Sequence, residues 1–232
     1  MTSPITFFTS YEQLKETLPP VPASKFWPQW FKDQSTGNFN TETRQGINTV
    51  KSCPAILDVL NMGYVIPLWS DFKLMRTEDN VGWISPNQEM FPIVTHPYEQ
   101  IDAYPFGPNT FNGTVKFINP WKIRTAPGYS TMFVSPFYHN HSNIEVLVGS
   151  VDTDRYHESH INTFITSQLN EEVHLSYGMP LVQVIPYKRE QFKMETLVGD
   201  YRSAISKAMQ FVHSSMFKAQ SYRKKLSPKW FK

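Results

Sequence analysis

INPWKIRTAPGYSTMFVSPF (118–137), VGSVDTDRYHESHINTFITS (148–167) and EEVHLSYGMPLVQVIPYKRE (171–190) are the stretches whose reading decides the fold. Four runs in this region, Ser130 to Phe137, His160 to Ser167, Glu171 to Tyr177 and Leu181 to Tyr187, are rich in β-branched and aromatic residues. Pro, Gly, Asn or Asp bound each of them, which is the pattern of short strands joined by ordered turns. The expected class is therefore mainly β, a small sandwich or barrel. We read 1–232 as a single domain, with 1–50 an N-terminal clasp and loop and 51–190 the β core.

Outward from this centre, the N-terminal half is punctuated by proline and glycine. Ser10 to Gln13 has the S-x-x-Q form of a capping box, predicting a short helix from Tyr11 to Leu18 stopped by Pro19 and Pro20. Phe26, Trp27, Trp30 and Phe31 fall at helical spacing and read as core or staple material, with an aromatic binding surface as the alternative. Residues 33–50 are polar, carry Gly37 and Gly46, and read as a mobile loop, a linker or a lid. Pro54 to Met62 predicts a brief helix ended by Gly63. YVIPLW, DFKLMRT and VGWISP then alternate as strands, the last two joined at Glu78, Asp79 and Asn80. Phe91 to Asn112 reads as a long connection rather than a strand.

Composition supports a packed core and sorts the charge unevenly. Hydrophobic residues make up 40 % of the chain and aromatics 15 %, with 18 Pro against 10 Gly, which suits many short strands. Residues 201–232 hold eight Lys or Arg and no acid, whereas the first 200 residues hold fourteen bases against twenty acids. The chain reads as an acidic body with a basic tail. After Asp200, Tyr201, Ile205, Ala208, Val212, Met216 and Ala219 recur at steps of three or four. That predicts a long amphipathic helix over 200–226 and a basic, aromatic tail over 227–232. Arg223, Lys224, Lys225, Lys229 and Trp230 are the candidate binding residues there, for nucleic acid or an acidic protein partner. The plainer account is a solvated helix end whose cations suit the helix dipole.

One cysteine, Cys53, excludes an internal disulfide and a multi-cysteine zinc site. It reads as a buried thiol in a reducing compartment. The start MTSPITFF lacks the features of a secretory leader, and no run of about 18 apolar residues occurs. A cytoplasmic protein, neither secreted nor inserted in a membrane, is the expectation.

Gly149-Ser-Val-Asp152-Thr-Asp154-Arg-Tyr156, then Ile161-Asn-Thr-Phe164, then Tyr177-Gly178-Met-Pro-Leu-Val-Gln183-Val-Ile185 resembles the second half of the trimeric deoxyuridine triphosphatases and their deoxycytidine triphosphate deaminase relatives. The resemblance implies a β-clip fold and a homotrimer. Asp152 would then stand at the water-activating carboxylate, with Asp154 beside it and Tyr156 beneath a deoxyribose. A pocket with Asp152, Tyr156 and Arg155 or Lys188 turned inward would favour the enzyme reading. The pattern departs in three places: Val134-Ser-Pro-Phe137 lacks the phosphate-binding Arg-Ser-Gly, Tyr156 comes one residue late, and no glycine follows Gly199. The alternative for Asp152 and Asp154 is an Asx-type turn between two strands.

Across its length the chain is also similar to an uncharacterised family of tailed-bacteriophage, often marine, and bacterial proteins. The marks are PASKFWPQWFK (22–32), KSCPAILDVLNMGYVIPL (51–68), FINPWKIRTAPGYS (117–130), GSVDTDRY (149–156) and GMPLVQVIPYKRE (178–190). The resemblance implies only a phage or bacterial cytoplasmic origin.

A second constellation is His139-Asn-His141-Ser-Asn-Ile-Glu145, the H-x-H-x3-E spacing with which cupin barrels hold a metal. Residues two apart on a strand face one side, so His139, His141 and Glu145 could converge on a divalent metal, with His157, His160 or His174 as a further ligand. Exposed loop histidines are the alternative. No Gly-rich phosphate loop, HExxH, GxSxG or CxxC element occurs. Three functions thus stand open: a non-enzymatic binding scaffold, a nucleotide-processing hydrolase, and a cupin-like metal protein.

Overall fold

The computed structural model describes residues 5–141 and 143–196. Its fold is mainly β and all its ladders are antiparallel. The described chain starts with β1 (Ile5–Phe8), α1 (Glu12–Thr17) and β2 (Val21–Pro22). Then come α2 (Gln29–Asp33), β3 (Gly37–Asn40), β4 (Gln45–Asn48) and α3 (Pro54–Leu60). Four strands follow, β5 (Tyr64–Pro67), β6 (Phe72–Arg76), β7 (Val81–Ile84) and β8 (Ile93–His96). The central region holds β9 (Thr114–Phe117), β10 (Lys122–Thr125), β11 (Tyr129–Val134), β12 (Ile144–Val146) and β13 (Gly149–Val151). The last three are β14 (Ile161–Ile165), β15 (Glu172–Leu175) and β16 (Pro180–Lys188). Among the described residues no helix is long and apolar enough to cross a membrane. The helix expected over 200–226 and the tail over 227–232 lie outside the described residues.

The described residues form two compact units, one of residues 5–26 and 62–189, the other of 27–61 and 190–196. The first holds a five-stranded sheet of order β13-β11-β16-β5-β2, a four-stranded sheet β12-β14-β9-β8, a three-stranded sheet β15-β6-β7 and the pair β1-β10. Strand β16 is its longest and pairs with both β11 and β5. Its Leu181 to Val184 are buried in succession, the pattern of a strand covered on both faces. By contrast β6 alternates, with Phe72 and Leu74 inward and Lys73 and Met75 outward. Phe72 meets Phe117 edge to face at 5.4 Å in the core, with Ile66, Leu68, Ile123, Ile161 and Ile165.

Three local expectations are corrected. Ile93–His96 is a strand rather than part of a connection, because β9 supplies a partner in register from Ile93↔Phe117 to His96↔Thr114. Ser10 does not cap α1; Tyr11 occupies that position without a side-chain cap, and its N–H donates to Thr9 Oγ1 instead. The aromatic stripe is not one helix, since Pro28 separates a 3₁₀ turn at Ala23–Lys25 from α2.

In the second unit, residues expected to form a loop make a hairpin of β3 and β4, in register from Gly37↔Asn48 to Asn40↔Gln45. Asn40 Oδ1 accepts the N–H groups of Glu42 and Thr43 at 2.9 and 3.0 Å, and Arg44 takes φ +52° to close the turn. Phe31 is buried, with Trp27 and Trp30 edge-on at 5.4 and 5.5 Å. Trp27 Nε1 donates to Asn61 Oδ1 at 3.1 Å. Cys53 is half-buried and immediately precedes Pro54, the first residue of α3.

Gly63, just ahead of β5, has φ +71°, and a Cβ there would lie 2.2 Å from the Val184 carbonyl oxygen of β16. Both the left-handed backbone and the close approach require glycine. Gly63→Ala should lower unfolding free energy by roughly 1–3 kcal/mol or more in urea titrations; an unchanged midpoint would show that β5 and β16 do not approach so closely.

Candidate functional site

Three segments meet at one end of the β13-β11-β16 ladder, and strand register brings them there. Thr131 pairs with Val151, which sets Ser130 beside Asp152 at the start of the next turn. Tyr129 pairs with Lys188, so Arg189 emerges beside Gly128 and its N–H donates to the Gly128 carbonyl at 2.9 Å. Gly128 has φ +83°, which lets the chain turn into β11.

The turn itself closes through its backbone, the Asp152 carbonyl accepting the N–H groups of Arg155 and Tyr156 at 2.9 and 2.8 Å. Its carboxylates reach across to other strands. Asp154 Oδ2 accepts the Gly128 N–H at 2.8 Å and Arg189 Nη2 at 2.5 Å, while Oδ1 accepts Arg189 Nη1 at 2.9 Å. This is a two-point guanidinium–carboxylate pair, and only 7 % of the Asp154 side chain is exposed. Asp152 Oδ1 accepts the Ser130 hydroxyl at 2.6 Å and lies 3.0 Å from Arg189 Nη1, with 51 % of its side chain exposed. Arg189 Nη1 also reaches Ser130 Oγ at 3.0 Å and the Tyr129 carbonyl at 3.1 Å.

Beneath the turn, Thr153 is fully buried. Its Oγ1 lies 2.8 Å from both Thr125 Oγ1 and Thr131 Oγ1, and Thr125 Oγ1 donates to the Tyr129 carbonyl. The three hydroxyls satisfy one another where water is absent.

Electrostatics follow from these contacts. The Arg189 hydrogen bonds, then the Gly128 N–H, hold the Asp154 carboxyl down at about 2. The Ser130 hydroxyl, then Arg189, holds Asp152 below its ordinary value. Arg189 is raised, first by its bonds to Asp154. Carboxylates stabilised in this way are poor proton acceptors, so the arrangement is suited to holding three strand ends together rather than to general-base work.

The structure thus brings Asp152 and Asp154 together, and with them Ser130, Gly128 and Arg189, which the sequence reading did not single out. The cation bonded to both carboxylates is Arg189, a residue to which the sequence did not point. The aspartates do not make a local Asx-type turn either. Tyr156 is exposed. Gln183 is buried, its Oε1 accepting the Phe137 N–H at 3.1 Å and its Nε2 donating to the Met62 carbonyl at 2.6 Å.

Among the described residues the structure does not bring the candidate metal ligands together. His139 and His141 stack with ring centroids 5.7 Å apart, in the connection between β11 and β12 rather than on a strand. His139 Nε2 is bonded to the Phe26 carbonyl, and burial, then the neighbouring His139, lowers His141. Glu145 instead lies on the exposed side of β12, opposite Phe164. The further candidates are engaged elsewhere: His157 Nδ1 with the Thr153 and Ile123 carbonyls, His160 Nδ1 with the Asn119 N–H, and His174 with Glu172. Among the described residues no group of three metal-ligating side chains converges. Arg223, Lys224, Lys225, Lys229 and Trp230 lie outside the described residues.

No protein-family model matches the chain, and no curated protein matches it.

Because the Asp154 carboxyl is depressed, the stability it contributes is fully present above its ordinary value of 3.8 and is lost as pH falls from there toward about 2. The wild-type melting temperature should fall more steeply across that window than that of Asp154→Asn; equal slopes would remove this ion pair from acid stability. At neutral pH, Arg189→Ala should lower the melting temperature by several degrees, since it leaves a nearly buried carboxylate without its counter-charge.

Proposed function

We propose that this protein is a non-enzymatic binding scaffold, a β-rich body that carries a basic C-terminal segment to a nucleic-acid partner. The observation that supports the reading is the state of Asp152 and Asp154. The one carboxylate pair that a hydrolytic mechanism would draw on is tied to Arg189, Ser130 and the Gly128 N–H. The resemblance to β-clip enzymes then describes scaffold and not chemistry, because fold does not fix function. It also suggests a single β-clip or sandwich-like domain and a homotrimer, with the 200–226 segment as an appended amphipathic helix.

Charge distribution supports the choice of partner. A segment with eight bases and no acid neutralises phosphates and releases their counterions, and Trp230 and Phe231 add surfaces on which bases stack. An acidic protein partner is the alternative occupant. A cytoplasmic location, in a bacterial or phage-infected cell, is part of the same proposal and rests on the resemblance to phage and bacterial proteins.

A second reading, nucleotide hydrolysis, draws on the exposure of Asp152 beside a guanidinium. One experiment separates the two. Fluorescence anisotropy with a labelled single-stranded oligonucleotide should show salt-dependent binding by the full chain. A chain ending at residue 220 loses Arg223, Lys224, Lys225, Lys229 and Lys232, so its log–log salt slope should shrink by as much as about 3.5. Unchanged binding by the shortened chain would sink the proposal. Turnover of deoxynucleoside triphosphates that Asp152→Asn abolishes would put the hydrolase in its place.

A further inference from the structure

We infer that a cleft in the first unit, sharing no residue with the Arg189 cluster, binds a neutral hydroxyl-rich small molecule, one saccharide ring. Its walls come from four separate segments: Gln13 and Thr17 of α1, Trp69 to Asp71 between β5 and β6, Asn87 and Met90 after β7, and Tyr177 before β16. The cavity measures about 230 Å³. That is about the volume of eight waters at liquid density, room for one ring.

The chemistry of the walls selects the guest. No Lys, Arg or His lines the cleft, and its one charged group is the Asp71 carboxylate, so a phosphate or carboxylate ligand would meet repulsion without a counter-charge. Asp71 Oδ1 accepts the Tyr177 N–H at 2.7 Å, and Oδ2 is left for a ligand among the described contacts. Ser70 Oγ lies 2.9 Å from Ser85 Oγ and accepts Asn87 Nδ2 at 3.4 Å, an arrangement that orients the Asn87 amide and leaves its Oδ1 unspent. The Gln13 amide is exposed at the rim.

Trp69 supplies an independent sign. It is only 2 % exposed, and its indole Nε1–H has no hydrogen-bond partner. Buried donors are nearly always satisfied, so an orphan donor on a residue that lines a cleft marks a place where a hydroxyl oxygen or an ordered water completes the structure. The exposed Tyr177 ring and Met90 side chain offer apolar surface to the C–H face of a sugar, while carboxylate and amides match hydroxyls that both donate and accept.

The test is saturation-transfer NMR on the full chain with the methyl glycosides of glucose, galactose, mannose and N-acetylglucosamine at millimolar concentration, with methylamine as a control. Transfer to the ring protons of at least one glycoside is expected. Asn87→Ala and, separately, the rim variant Gln13→Ala should each weaken it about tenfold, the loss of one good hydrogen bond. Gln13 is exposed, so that variant folds whatever Asn87→Ala does. Absence of transfer from every glycoside, transfer that both variants leave intact, or binding of methylamine in their stead would overturn the inference.

Discussion

A carboxylate with 7 % of its side chain in contact with solvent persists only where donors replace the water it has lost, and Asp154 obtains them from Arg189 and the Gly128 N–H. The donors belong to the turn that enters β11 and to the residue that leaves β16. Asp154 follows β13. The ion pair therefore forms only when β11 is in register with both neighbours at once. Strands as apolar as β16 have many acceptable pairings, and a slip by one residue would reverse every side chain. Here such a slip would also strand a charge. The threonines at 125, 131 and 153 add the same constraint without charge, since each hydroxyl finds its partner on another element.

The same interaction bears on function. A carboxylate can serve as a base, a metal ligand or a structural acceptor, and the choice is made by what already occupies its lone pairs. Ser130 and Arg189 occupy Asp152, and Arg189 and Gly128 occupy Asp154. The histidines follow the same logic, for His139, His157 and His160 are bonded to backbone groups. Groups that look chemically available in the sequence are consumed as internal partners by a fold with many short strands and many strand ends to satisfy. Unspent polar capacity lies in the cleft beside Trp69, to which the sequence directs no attention because its residues come from four distant segments.

Much of the β architecture was legible. The runs around 130–137, 160–167, 171–177 and 181–187 each coincide with an observed strand to within a few residues, and the turn at Glu78, Asp79 and Asn80 joins β6 to β7 as the alternation predicts. These depend on local preference: β-branched and aromatic residues between breakers. What local preference misses is also specific. Residues 93–96 are a strand because β9 lies beside them. Residues 37–48 form a hairpin through the Asn40 side chain and the left-handed Arg44, despite their polar composition.

By itself, then, the sequence determined the β class, the positions of the central strands, the GSVDTDRY turn and the separation of an acidic body from a basic tail, because each is written in neighbouring residues or in summed charge. Tertiary structure decided which groups meet. Arg189 closes on the two aspartates, Glu145 does not join the paired histidines, and Gln13, Trp69, Asn87 and Tyr177 share one cleft. Those outcomes rest on ladder register and on contacts between segments far apart in the chain, and a side chain's partners set both its protonation and its remaining capacity to bind.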